Sequence, residues 1–180
     1  MIKQFLFIGF LLYSFTIEAQ SAMNKNYVSL NKKFSYEVLN VYQENSKSKI
    51  EDVFTYFQML TDINIDDQLK SEIIKNIYSL YKTENDLVVD FTSNNFEKIP
   101  LKQFIQRLLY SSPILFKVSN ETQYDSVDYN FWKTNYSVSI TKGGITSKER
   151  ISQKVYFSEK NKSFGSNNKS VYETSLGEME

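Results

Sequence analysis

The chain has 180 residues, balances 21 Lys and Arg against 21 Asp and Glu, and contains neither His nor Cys. Zero net charge with interspersed signs offers no basic face to displace counterions from nucleic acid and no polybasic run for an anionic membrane. The missing His and Cys exclude Ser-His-Asp and Cys-His nucleophiles, iron–sulfur clusters, His- or Cys-based zinc sites and disulfides.

No cofactor or metal is therefore expected. Any catalysis would rest on Asp, Glu, Tyr or Lys with environment-shifted pKa values. Five glycines in all give no glycine-rich dinucleotide fingerprint or phosphate-cradling loop. The length suits one domain that buries about two-thirds of its unfolded surface.

Residues 1–19 read as a secretory signal peptide. Lys3 supplies the basic start, an apolar run follows from Gln4 to Ile17, and Ala19 fits a cleavage position. The run is short of the roughly 20 apolar residues that a membrane span needs. The mature chain is thus expected outside the cytoplasm, periplasmic or extracellular, with no stable span after cleavage. No Cys follows the apolar run to carry a lipid.

Residues 20–47 are ambiguous. Phe34, Tyr36 and Val38 alternate like a strand, while Tyr27, Leu30, Phe34 and Val41 nearly fit a helical stripe. A short helix or an irregular lead-in is expected. The main domain is assigned to residues 48–175.

Ser48 and Glu51 form a capping box, and Ile50, Val53, Phe54, Phe57 and Leu60 then recur at helical spacing. Asp66 can cap a second helix with the stripe Leu69, Ile73, Ile77, Leu80 and Tyr81. The short connection predicts an antiparallel pair. Asp86 to Phe91 reads as a strand with Leu87, Val89 and Phe91 on one face. Pro100 opens a third helix, whose core side is Leu101, Phe104, Ile105, Leu108 and Leu109. Ser112-Pro113 ends it, and a strand is expected over 114–118.

Gly143-Gly144 suits a two-residue hairpin turn, because glycine accepts positive φ at both central positions. Lys142 then faces Ile145, Val138 faces Glu149, Tyr136 faces Ile151, Thr134 faces Gln153 and Trp132 faces Val155. One face is mostly apolar and the other polar, so a one-residue slip would destroy the sorting. Residues 159–168 read as a polar turn region, Ser170 to Thr174 as a weak edge strand, and the charged tail as frayed. Four Asn-x-Ser/Thr triplets, at Asn120, Asn135, Asn161 and Asn168, matter only in a eukaryotic secretory pathway.

Together these elements predict an α+β fold, three helices packed on a strongly bent antiparallel sheet. Over about Ser48 to Thr174 the order of two helices, a strand, a helix and long antiparallel strands resembles the nuclear transport factor 2-like superfamily, which includes ketosteroid isomerases. That resemblance implies a cone with an apolar pocket. It carries no catalytic residue across, because it rests on element order. A cystatin-like single helix on a sheet is the rival, and three helical stripes count against it.

Six residues are candidates for the pocket. Asp90 sits among Leu and Val, where burial without a partner would raise its pKa and make a base; alternatively it lies exposed at a strand end or bonds a loop amide near Ser93. Glu149 and Gln153 fall on the apolar hairpin face, joined by Asp128, beside Trp132 and Tyr136. The plainer roles are a solvent-facing Glu149, a Gln153 bonded to Thr134 and aromatics that fill the core. The function expected is a non-enzymatic binding or interaction protein for an apolar small molecule or a protein partner. The alternative is a metal-free isomerase- or hydrolase-like enzyme, with Asp90 or Asp128 as base and Tyr donors.

Overall fold

A computed structural model describes residues 34–180, apart from Asn120, Glu121, Ser126, Asp128, Ser166 and the side chain of Phe164. The expected leader over 1–19 and the first half of the lead-in, 20–33, lie outside these residues.

Helix α1 spans Tyr36–Leu60, capped by the Ser35 side chain, which accepts from the Val38 amide. The Ser48–Glu51 pair therefore does not start the helix. Both residues lie in its interior, where a preceding turn already serves their backbone amides. The stripe itself is as expected: Ile50, Val53, Phe54, Phe57 and Leu60 are buried, with Leu39 extending it toward the N-terminus.

Helix α2, Asp67–Leu80, is capped by Asp66, whose carboxylate accepts from the Leu69 amide at 2.8 Å. It packs on α1 through a narrower stripe than expected. Ile73 and Ile77 are buried, whereas Leu69, in the first turn, is 46% exposed. Strand β1, Leu87–Val89, pairs antiparallel with a three-residue strand β2, Lys98–Pro100, that the sequence did not announce. Helix α3, Leu101–Leu109, follows directly, with Pro100 at its cap position and Leu101, Phe104, Ile105 and Leu108 buried.

The main sheet contains β3 (Ile114–Val118), the short β4 (Gln123–Tyr124), β5 (Phe131–Lys142), β6 (Ile145–Phe164) and β7 (Asn167–Met179). All pairings are antiparallel, in the order β3-β5-β6-β7, with β4 also on β5. The sheet curls strongly into a half-barrel that holds the helices, an α+β fold as expected. The β5–β6 register is the one derived from the glycine pair, from Lys142↔Ile145 to Trp132↔Val155. Gly143 and Gly144 take φ +53° and +83°, the left-handed region that glycine enters without steric cost.

The C-terminal third differs from expectation. Residues 159–168 are not a turn region; β6 runs on to Phe164, and β7 returns from Asn167. The described side chains of 158–170 are exposed, so this ribbon is held by its backbone ladder and by cross-strand pairs such as Ser163–Asn168 at 2.6 Å and Lys160–Glu173 at 2.9 Å. Nor is the tail frayed. Leu176 and Met179 are buried in the core, and Glu180 and Ser152 exchange backbone hydrogen bonds at 2.6 and 3.3 Å. Gly177 lets the ribbon close down: a Cβ there would stand 2.4 Å from the Tyr156 ring.

The interior is filled by aromatic side chains. Phe57 stands 5.0 Å from Phe104, and Phe54 stands 5.6 Å from both Phe91 and Phe116, all edge-on or tilted. Such geometry matches ring edges to ring faces and adds to area burial. Among the described residues no helix is long and apolar enough to cross a membrane.

Candidate functional site

Alternation on β5 and β6 aims Trp132, Thr134, Tyr136, Ile151, Gln153 and Val155 inward, and all are buried. Gln153 is held by three groups. Its Oε1 accepts from the Tyr136 hydroxyl at 2.6 Å, and its amide donates to the Gly177 carbonyl at 3.2 Å and to the Tyr81 hydroxyl at 3.4 Å. It does not bond Thr134, whose hydroxyl and the Trp132 indole N–H are both buried without a partner. Burial pushes the Tyr81 and Tyr136 hydroxyls far up, so both stay protonated donors.

Three of the expected pocket residues, Trp132, Tyr136 and Gln153, thus come together, but as core. Phe157 caps Trp132, with 6.5 Å between ring centroids. Glu149 stands apart, half-buried opposite Val138 near the hairpin turn. Asp128 lies outside the described residues.

Asp90 is elsewhere again, just after β1. Its carboxylate is 0% exposed and takes the Thr92 amide at 2.8 Å, the Thr92 hydroxyl at 2.6 Å and the Arg107 guanidinium. Burial raises its pKa, but the bonds from Thr92 and Arg107 outweigh it and hold the group below the ordinary carboxylate range. Of the two readings of Asp90, the bond to a loop amide beside Ser93 is the one found, and the unpartnered base with a raised pKa is not. A loop amide binds the carboxylate, and a cation from α3, which the sequence had not paired with it, completes the site.

Arg107 also donates to Glu97 at 2.8 Å, so it bridges the loop after β1 to the last turn of α3. A cation there suits the negative end of the helix dipole, the one sequence signal that pointed to it.

Roomy space lies on the outside. An open cleft of about 840 Å³ runs between α3 and the β5–β6 turn, lined by Thr92, Gln103, Gln106, Arg107, Tyr110 and Lys142 among others. Tyr110 is 91% exposed at its rim. Lys142 donates to the Ser93 carbonyl at 3.3 Å, and burial lowers its pKa. A second cleft of about 520 Å³ lies between α1, the end of α2 and the base of the β6–β7 ribbon. None of the five described candidates lines either cleft; Tyr136 borders a recess of about 60 Å³.

Among the described residues no group of His, Cys, Asp or Glu is placed to hold a metal ion. No family model, curated protein or solved structure matches the chain.

Proposed function

We propose that the chain is an exported, non-enzymatic interaction protein on a nuclear transport factor 2-like scaffold, and that it holds a protein partner on its outside. The order of helix pair, short strands, third helix and curled antiparallel sheet supports that kinship. The observation that carries the reading is where the space lies. The inward face of the hairpin is packed with Trp132, Tyr136 and Gln153, while the cleft beside α3 is open.

Its lining suits a polypeptide better than an apolar metabolite. Gln103 and Gln106 present amides that can pair with a backbone, and Tyr110 and Arg107 are residue types enriched at protein interfaces. A pocket for an apolar metabolite would instead be mostly hydrophobic.

A thermal-shift screen of the purified protein tests this. Polypeptide fractions from the cell envelope are expected to raise the midpoint by mass action, and Tyr110→Ala is expected to abolish the rise. A rise with apolar metabolites, or one that survives Tyr110→Ala, overturns the reading.

A further inference from the structure

We infer that the second cleft, between α1 and the base of the β6–β7 ribbon, binds an acidic sugar: a hydroxylated ring that carries a carboxylate. This site does not depend on what the α3 cleft holds.

Three cations line it, Lys49, Lys82 and Lys160, against the single carboxylate of Glu173. Lys82 also lies close enough to Asp86 and Glu178 to interact with both, so the positive surplus centres on Lys49, with Lys160 and Lys162 around Glu173. Glu173 is already engaged by Lys160 at 2.9 Å and by Lys162. Lys49 is half-buried and gives one of its three donors to the Thr174 carbonyl, leaving donor capacity for a ligand. Burial lowers its pKa, and repulsion from Lys160 and Lys162 lowers it further against the pull of Glu173. An anion beside it would relieve both costs.

Charge alone would take any anion; the remaining walls narrow the class. Tyr42 and Tyr172 line the cleft as half-buried rings, braced by Phe157 at 4.7 and 5.1 Å. Fixed aromatic walls of this kind offer apolar faces against which the C–H side of a sugar ring can lie. Asn45, Ser79, Ser158 and Ser175 add amide and hydroxyl groups for ring hydroxyls. Lys82 stands over the Tyr156 ring at 3.7 Å, which holds its ammonium in place. The volume falls within the roughly 300–1,000 Å³ of small-molecule sites.

Calorimetric titration of the purified protein with a glucuronate disaccharide, the matching neutral glucose disaccharide and inorganic phosphate tests the assignment. The uronate is expected to bind at least tenfold more tightly than either control. Lys49→Gln should weaken it about tenfold. The Lys49 ammonium also bonds Thr174, so the exposed Lys82→Gln serves as a second variant that leaves the fold intact and should weaken binding severalfold. Equal binding of phosphate would reduce the cleft to a general anion trap, and equal binding of the glucose disaccharide would remove the cations from recognition. Either result, or no uronate binding, overturns the inference.

Discussion

The Tyr136–Gln153 pair gives the sharpest test of a closed interior. Tyr136→Phe removes one hydroxyl and leaves almost no cavity, but strips the buried Gln153 Oε1 of the donor that stands 2.6 Å away. A buried acceptor without a partner costs about 1–3 kcal/mol. Gln153→Leu removes the other side. The Tyr136 and Tyr81 hydroxyls and the Gly177 carbonyl all lose a partner, roughly 3–9 kcal/mol before any gain from the added apolar contact. In the double variant neither side leaves the other unpaired. Its cost should therefore fall short of the sum by about 0.5–3 kcal/mol. Urea unfolding at constant m-value reads each cost, and each kcal/mol should lower Tm by about 2–4 °C in a domain of this size. If Tyr136→Phe costs under about 0.5 kcal/mol and the two changes add, water reaches Gln153 and the packed interior is refuted.

Three further outcomes are expected. Gly144→Val, at φ +83°, should cost about 1–3 kcal/mol by equilibrium unfolding; a neutral result would mean that the turn is not built as described. Removing residues from 175 onward strips Leu176 and Met179 from the core, about 3–6 kcal/mol at roughly 1.5–3 each, and a tail that could be cut without effect would contradict its docking. The pH profile should show an acid limb. Asp90 and Glu173 both titrate lower folded than unfolded, so the unfolded chain binds more protons in that window and stability rises with pH there. Their stabilisation is complete above the unfolded values and is lost as pH falls; for Glu173 the window runs from 4.5 down to about 2. Asp90→Asn should flatten the limb, and an unchanged slope would refute the assignment to Asp90.

What could be read beforehand divides by mechanism. The β5–β6 register was legible because a glycine pair fixes the turn and alternation sorts the faces, two signals that agree. The apolar stripe of α1 was legible too, but its start was not. From Tyr36 to Lys49 the helix exposes many polar side chains, and Ser48–Glu51 mimicked a cap that Ser35 provides. The ribbon beyond Ser158 could not be recognised by pattern, since its exposed side chains carry no apolar alternation and backbone bonds with polar cross-strand pairs define it. For the candidate site, inward-facing Trp132, Tyr136 and Gln153 present the same pattern whether they line a pocket or fill a core. Only the third dimension, with Phe157, Tyr81 and Gly177 closing over them, decides. The cleft lysines were hidden for the opposite reason: Lys49, Lys82 and Lys160 lie far apart in sequence and look like ordinary surface charges.

Trp132 is the only tryptophan in the chain and is 0% exposed at the centre of the inward face. Its fluorescence under iodide titration therefore reports on the interior alone. A packed interior predicts blue-shifted emission, negligible quenching and no response to apolar ligands. Water-like emission that iodide quenches, or a spectral shift on adding an apolar ligand, would show an open pocket and contradict the account.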